Sequence, residues 1–325
     1  MRTHQGAPGD GFDVLTMGRV GVDIYPQQVG MSLEDVTSFG KFLGGSPTNV
    51  AVAAARYGHS AAVITGTGAD PFGKFVHKAL AGYRVDDRYV VTVPELPTPV
   101  TFCEIFPPDD FPLYFYRFPK APDLELTVGD VDFDAVRAAK VFWVTVTGLC
   151  AEPSRTATLE ALQARDRHGI TVLDLDFRPM FWDSHGKATT WVREALELAT
   201  VAVGNLDETE IAVGTRDPRE AARALVRRGL SLAVVKQGPK GVLAADSSGE
   251  VEVAPAPVKV VNGLGAGDAF GGALCHGLLS GWDLLRTMAF ANAAGAVVAG
   301  RLSCADAMPT QDEVLDKLAE VRDAR

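Results

Sequence analysis

The chain has 325 residues, 47% apolar and 22% charged, the balance of a folded chain with a sizeable core. Its 31 Lys and Arg against 41 Asp and Glu leave a formal net charge of −10, which argues against nucleic acid or an anionic membrane surface as a main partner. The four cysteines, Cys103, Cys150, Cys275 and Cys304, fit neither a disulfide framework nor a zinc site.

The first eleven residues are polar and Gly-rich, without the apolar centre of a signal peptide. Short apolar runs at 12–17, 61–65, 141–145, 171–174, 201–203 and 232–236 predict buried strands. Between them, helical patterns are expected at 47–57, 71–82, 153–168, 187–199 and 218–228, several with Pro in the first turn. Such alternation predicts a parallel sheet covered on both faces, with ligands at the edge where the strands end. Two segments interrupt it, 24–42 and 97–126, and predict a small β lid inserted in a single domain spanning 1–325. The chain ends in helices expected at 264–279, 282–298 and 311–322. Its longest apolar stretch, 289–300, is far short of the ~20 residues of a membrane span, so a cytoplasmic location is expected.

The sharpest motif is Asn262-Gly263-Leu264-Gly265-Ala266-Gly267-Asp268. Glycines let a ligand approach the backbone, and the first amides of the following helix have no internal partner, so the turn is suited to phosphate. Asp268 reads either as a helix cap or as a base for an attacking hydroxyl, and a cap needs no three glycines before it. Gly44-Gly45-Ser46-Pro47-Thr48-Asn49 opens an earlier helix, as a tight turn or as a surface for a polyhydroxylated substrate that Asn49 can hydrogen-bond. Gly68-Ala69-Asp70-Pro71-Phe72-Gly73-Lys74-Phe75 nearly spells a Walker A loop, but Phe75 stands where Ser or Thr is needed. The dinucleotide fingerprint also fails, because no βαβ unit follows Gly263 to Gly267.

In this order and separation the two Gly-rich motifs resemble the two signatures of the ribokinase-like (PfkB) carbohydrate kinases, a likeness running from residue 14 to residue 309. The resemblance implies an α/β fold: a ribokinase-like three-layer αβα sandwich with a mostly parallel central sheet and a small β lid. It implies that Asp268 is the base and that Gly265, Ala266 and Gly267 surround the transferred phosphate. Asp23, Gly44, Gly45 and Asn49 then hold the sugar. For the nucleotide, ATP, it implies Asn205, Lys236, Gly238, Gly241, Gly267 and Asn292, and for Mg²⁺ it implies Glu208 and Asn205. Each has a plainer alternative: an exposed helix start at Asn205 to Glu208 with Asp207 and Glu208 favouring the dipole, a hairpin turn at Lys236 to Gly241, a backbone-satisfied Asn292, a capping Asp23. The family usually carries Asp-Thr where this chain has Asn262-Gly263; an uncharged oxygen there weakens the case for K⁺ without removing it.

Within the family, Tyr25-Pro26-Gln27-Gln28, Leu113-Tyr114-Phe115-Tyr116-Arg117, Asp176-Phe177-Arg178-Pro179 and Cys304-Ala305-Asp306-Ala307-Met308-Pro309 resemble the 5-dehydro-2-deoxygluconokinases of myo-inositol breakdown. Arg117 and Arg178 agree with a sugar-acid substrate, since a guanidinium fork matches a carboxylate; they also read as a solvated lid residue and an ion-pair partner. The alternatives are a 2-dehydro-3-deoxygluconate kinase, a fructokinase or ribokinase, or a catalytically idle sugar-binding regulator. The family resemblance also implies a homodimer paired through the lid.

Overall fold

The computed structural model describes residues 11–323; the N-terminal run read above lies outside the described residues, apart from Gly11. In chain order the elements begin with β1 (Val14–Met17), β2 (Gly21–Pro26), β3 (Phe39–Gly44), α1 (Ser46–Arg56), β4 (Ala61–Thr67), α2 (Pro71–Gly82), β5 (Val85–Asp86), β6 (Val90–Thr92), β7 (Val100–Cys103) and β8 (Leu113–Tyr116). They continue with α3 (Phe133–Ala138), β9 (Val141–Thr145), α4 (Ser154–Arg165), β10 (Ile170–Asp174), α5 (His185–Leu198), β11 (Val201–Asn205), α6 (Leu206–Val213), α7 (Pro218–Arg227) and β12 (Leu232–Lys236). The last are β13 (Val242–Asp246), β14 (Gly249–Val253), α8 (Ala266–Leu279), α9 (Leu284–Ala299) and α10 (Gln311–Asp323).

The central strands of the main sheet are buried on both faces, which is why they read as unbroken apolar runs. Every residue of β1 and of β9 is buried. Successive side chains point to opposite faces. Val14, Val63, Trp143, Val172 and Val234 pack on one side with α1, α8 and α9. Leu15, Ile64, Phe142, Leu173 and Val235 pack on the other with α4, α5 and α7. The result is the expected three-layer sandwich. Its sheet runs β14-β13-β12-β11-β10-β9-β1-β4-β5, with β6 also paired to β4. All pairs from β12 to β5 are parallel, so their C-terminal ends share one edge. Helix starts follow local chemistry: Asp70 accepts from the Gly73 amide to cap α2, and Asp217 caps α7 the same way at Glu220.

The turn after β12 opens an antiparallel hairpin, β13–β14, as the plainer alternative for Lys236 to Gly241 had it. Period-two alternation in Glu250-Val251-Glu252-Val253 carried that signal. The lid is a four-stranded sheet, β3-β2-β7-β8, built from both expected pieces. It begins at Gly21 rather than at 24, so Asp23 belongs to a lid strand and not to a loop. Its outer face carries Phe39, Phe102 and Tyr116, joined edge to face. The other face holds Asp23, Tyr25, Phe42 and Phe115 over the strand ends. Among the described residues no helix is long and apolar enough to cross a membrane.

Candidate active site

The N-terminus of α8 is where lid and sheet edge meet. Gly265 is its N-cap, with φ of 81°, and a Cβ there would lie 2.8 Å from Cys304 Sγ, so both conformation and space demand glycine. The first helical bond runs from the Ala269 amide to the Gly265 carbonyl. The amides of Ala266, Gly267 and Asp268 therefore have no acceptor in the helix, and the helix dipole adds positive potential beside them.

Asp268 does not cap this helix. Its Oδ1 accepts from Ser46 Oγ at 2.7 Å and its Oδ2 from Asn49 Nδ2 at 2.7 Å, both on α1. The two Gly-rich motifs, about 220 residues apart, are thus joined at one carboxylate. Burial and the neighbouring Asp176 push the Asp268 carboxyl above the ordinary aspartate value, against the hydrogen bonds from Asn49 and Ser46 and the charge of Arg19. A raised carboxylate whose oxygens each keep a lone pair is a competent base.

Asp23 faces this point from the lid. It accepts from the Tyr25 hydroxyl at 2.8 Å, and the same hydroxyl lies 3.1 Å from Cys304 Sγ. Gly44 packs flat on it, since a Cβ there would overlap the carboxylate at 2.2 Å, while Gly45 is the N-cap of α1. Asp23 is therefore not a cap; it is a buried carboxyl pushed up to about 6 by burial, despite the Tyr25 bond and the nearby Arg19.

Beyond β10 the extended chain sets Asp174, Asp176 and Arg178 on one side, at period two. Asp176 binds Arg178 Nη2 at 2.7 Å and Arg19 Nη2 at 3.0 Å. Burial would protonate Asp176, but these two guanidiniums hold it below the usual range. The ion-pair alternative for Arg178 thus describes its contacts. Arg117 is not solvated either: it is buried on Asp123 at 2.7 Å and lies over the Phe181 ring.

On the other side of Asp268 lie Lys236, Asp174 and Glu208. Burial opposes the charge of Lys236, yet Glu208, Asp174, Asp268 and Asp176 keep it above the ordinary lysine value. Burial pushes Asp174 up to about 7, and raises Glu208 as well. Asn205 and Glu208 form a reciprocal cap: Asn205 Oδ1 accepts from the Glu208 amide, and Glu208 Oε2 from the Asn205 amide. Two carboxyls that ionise reluctantly are acceptors wanting a cation. Among the described residues no three His, Cys, Asp or Glu side chains gather as a metal cage.

A cleft of about 720 Å³ leads away from Lys236 and Gly267. It passes the β12–β13 turn at Gly238 and Gly241 and continues between Val258, Val260, Asn292 and Ala296. Its size and apolar walls fit a nucleoside. Asn292 lines it but donates its Nδ2 to the carbonyls of Val253 and Ala254. Asn262 is fully buried, with Nδ2 on the Leu302 carbonyl and Oδ1 taking the Leu264 amide.

The residues missed by the sequence reading are Arg19, Ser46, Tyr25, Asp174 and Asp176. The i, i+2, i+4 spacing of Asp174, Asp176 and Arg178 past a strand was a usable signal. Nothing local marks Arg19, whose partner lies 157 positions away.

A nucleoside-sized cleft that ends on unpaired helix amides, with a raised carboxylate beside them under a lid, defines a phosphotransferase with an alcohol acceptor. Residues 12–311 match the family model described as pfkB family carbohydrate kinase, and the chain belongs to that family. It is 31% identical over 321 residues to a 5-dehydro-2-deoxygluconokinase of Geobacillus thermodenitrificans, covering 97% of this chain and 95% of the relative. Among solved structures it resembles a fructokinase of Xylella fastidiosa with bound ATP, at 25% identity and a TM-score of 0.83, covering 95% of this chain and 98% of the other. It also resembles a Vibrio cholerae fructokinase variant bound to fructose, ADP and potassium, at 26% identity and a TM-score of 0.82, covering 95% and 99%. The fold is ribokinase-like, and the chain is a carbohydrate kinase.

Proposed function

We propose that this kinase phosphorylates the primary hydroxyl of a sugar acid, 5-dehydro-2-deoxy-D-gluconate, to its 6-phosphate with ATP. The observation that carries the phosphoryl-transfer part is Asp268, held by Ser46 and Asn49 beside the free amides of α8. The choice of acid is supported by the full-length likeness to 5-dehydro-2-deoxygluconokinases and by the guanidiniums gathered at Asp176.

In this reading the nucleoside occupies the cleft beside Asn292, with its phosphates toward Lys236, Gly238, Gly241 and Gly267. The sugar lies against Asp23, Gly44, Gly45 and Asn49, and Arg117 and Arg178 supply positive charge for its carboxylate. Asp268 takes the proton of the hydroxyl as its oxygen attacks the terminal phosphorus. The amides of Ala266, Gly267 and Asp268, with Lys236, take up the charge on the transferred group. Glu208 and Asn205 are the residues that would hold Mg²⁺, through water, and the ion would neutralise charge on the phosphate oxygens. Asn262 Oδ1 takes the Leu264 amide and keeps one lone pair, so at a K⁺ site it would offer an uncharged oxygen. Lid closure would keep water from the phosphate. The chain would act in the cytoplasm, and the exposed aromatic row Phe39, Phe102 and Tyr116 is a surface that a second copy would cover.

The test is ADP release with ATP and Mg²⁺ over a panel of 5-dehydro-2-deoxygluconate, 2-dehydro-3-deoxygluconate, fructose and ribose. The highest kcat/KM is expected for the first. A clear preference for another member would replace it, and no turnover with any would favour an idle sugar-binding protein.

A further inference from the structure

The buried charges of the site sort into two ends about Asp268. Lys236 interacts with Glu208, Asp174, Asp268 and, least, Asp176, and it lines the nucleoside cleft. Arg19 interacts most with Asp176, then with Asp268 and Asp23, and its guanidinium lies over the inner-face ring of Phe115 on the lid, 5.8 Å from the centroid. Arg19 is therefore the cation of the sugar end. Its side chain is 12% exposed, and it is anchored through Nε at 3.3 Å and Nη2 at 3.0 Å to one oxygen of Asp176. Among the described residues its Nη1 has no hydrogen-bond partner, and the two N–H groups of Nη1 are held in the plane that Asp176 fixes. Arg178 holds the other oxygen of Asp176, so two guanidiniums share this one carboxylate. Arg117, by contrast, is matched one to one with Asp123. An ionised substrate carboxylate is the partner that a pre-oriented guanidinium with one edge open suits best, because the charge-assisted bond forms without ordering a free side chain.

We infer that Arg19 is the specificity-determining residue of the sugar end: clamped on Asp176, it offers its Nη1 edge to the carboxylate of an acidic substrate. The assignment rests on the sugar-acid reading above. On this assignment a neutral ketose, which brings no charge to that edge, is the poorer match.

The test measures kcat and KM of the full chain and of Arg19→Gln for 5-dehydro-2-deoxygluconate, for fructose and for ATP. The ratio of kcat/KM for the acid over that for fructose is expected to fall about 10- to 100-fold, through the acid's KM, as for loss of a charged hydrogen bond. Equal losses on acid and ketose, or a KM for ATP that rises as steeply as the acid's, would overturn the assignment. Because the substitution also leaves Asp176 with one cation fewer, Arg19→Gln/Asp176→Asn is measured beside it, with a thermal melt of each variant. The double variant relieves any unpaired charge, and the ratio is expected to stay low; a ratio restored to wild type would show that Arg19 acts only through Asp176 and would overturn the inference. The two layers separate cleanly. A wild-type chain that prefers fructose removes the sugar-acid reading and Arg19 with it, whereas an acid-preferring wild type whose preference survives in Arg19→Gln removes Arg19 alone.

Discussion

Asp23 shows how one buried carboxyl can cost a fold stability. Its carboxyl is pushed up to about 6, first by burial and then by Asp268, with the Tyr25 hydroxyl and Arg19 acting the other way. The folded chain therefore binds this proton more tightly than the unfolded one. Ionised Asp23 lowers stability above the folded pKa, and that cost vanishes as pH falls through 6 toward 4. Asp23→Asn is expected to raise the unfolding free energy by about 1–3 kcal/mol near pH 8, with the gain fading near pH 4.5, while sugar affinity drops. Melts of both proteins across pH check this; a variant less stable at the alkaline end would mean that Arg19 compensates the charge fully. The same scale explains what could be read without coordinates. Asp268, Asn49 and the glycines announce themselves because their types are clustered. Arg19 and Ser46 do not, because what makes them part of the site is a partner far along the chain.

Between elements, the decisive contact is the close approach of α1 and α8, which brings Ser46 and Asn49 to Asp268. Ala is favoured over Gly inside a helix by about 1 kcal/mol. At Gly272 of α8, however, an added Cβ would lie 2.2 Å from the Cβ of Ala53 on α1. Overpacking of that kind costs about 1–3 kcal/mol and outweighs the propensity gain. Gly82 at the end of α2 has nothing within 4 Å, so there propensity acts alone. Gly272→Ala is thus expected to melt below the wild type and Gly82→Ala at or above it; a Gly272→Ala protein as stable as the parent would mean the two helices can part. Elements were legible where local chemistry is strong. Pro71 after Asp70 fixes the start of α2, and doubly buried strands read as apolar runs. β2 and β3 were not, because Gly21, Asp23, Gly40 and Lys41 break the pattern that a half-buried strand would show. The eight-residue α6 is too short for a helical period to emerge.

For the whole molecule, the buried charged groups of the candidate site come from both lid and sandwich. The lid contributes Asp23 and the Phe115 face, the sandwich contributes Asp268, Asp176 and Lys236, and Arg19 bridges them from the short stretch between β1 and β2. The fold could be read nearly whole from the alternation of runs and helices, since a parallel sheet leaves little choice about which edge binds ligand. The charge pairing across that edge could not, because it depends on which strand ends become neighbours. The central claim is that Asp268 removes the proton of the acceptor hydroxyl beside the amides of α8. Its most direct test is the turnover of Asp268→Asn, with ATP binding measured on the same protein. A loss in kcat of at least ~10²-fold with ATP binding retained is the expected result; a kcat near that of the wild type would contradict it.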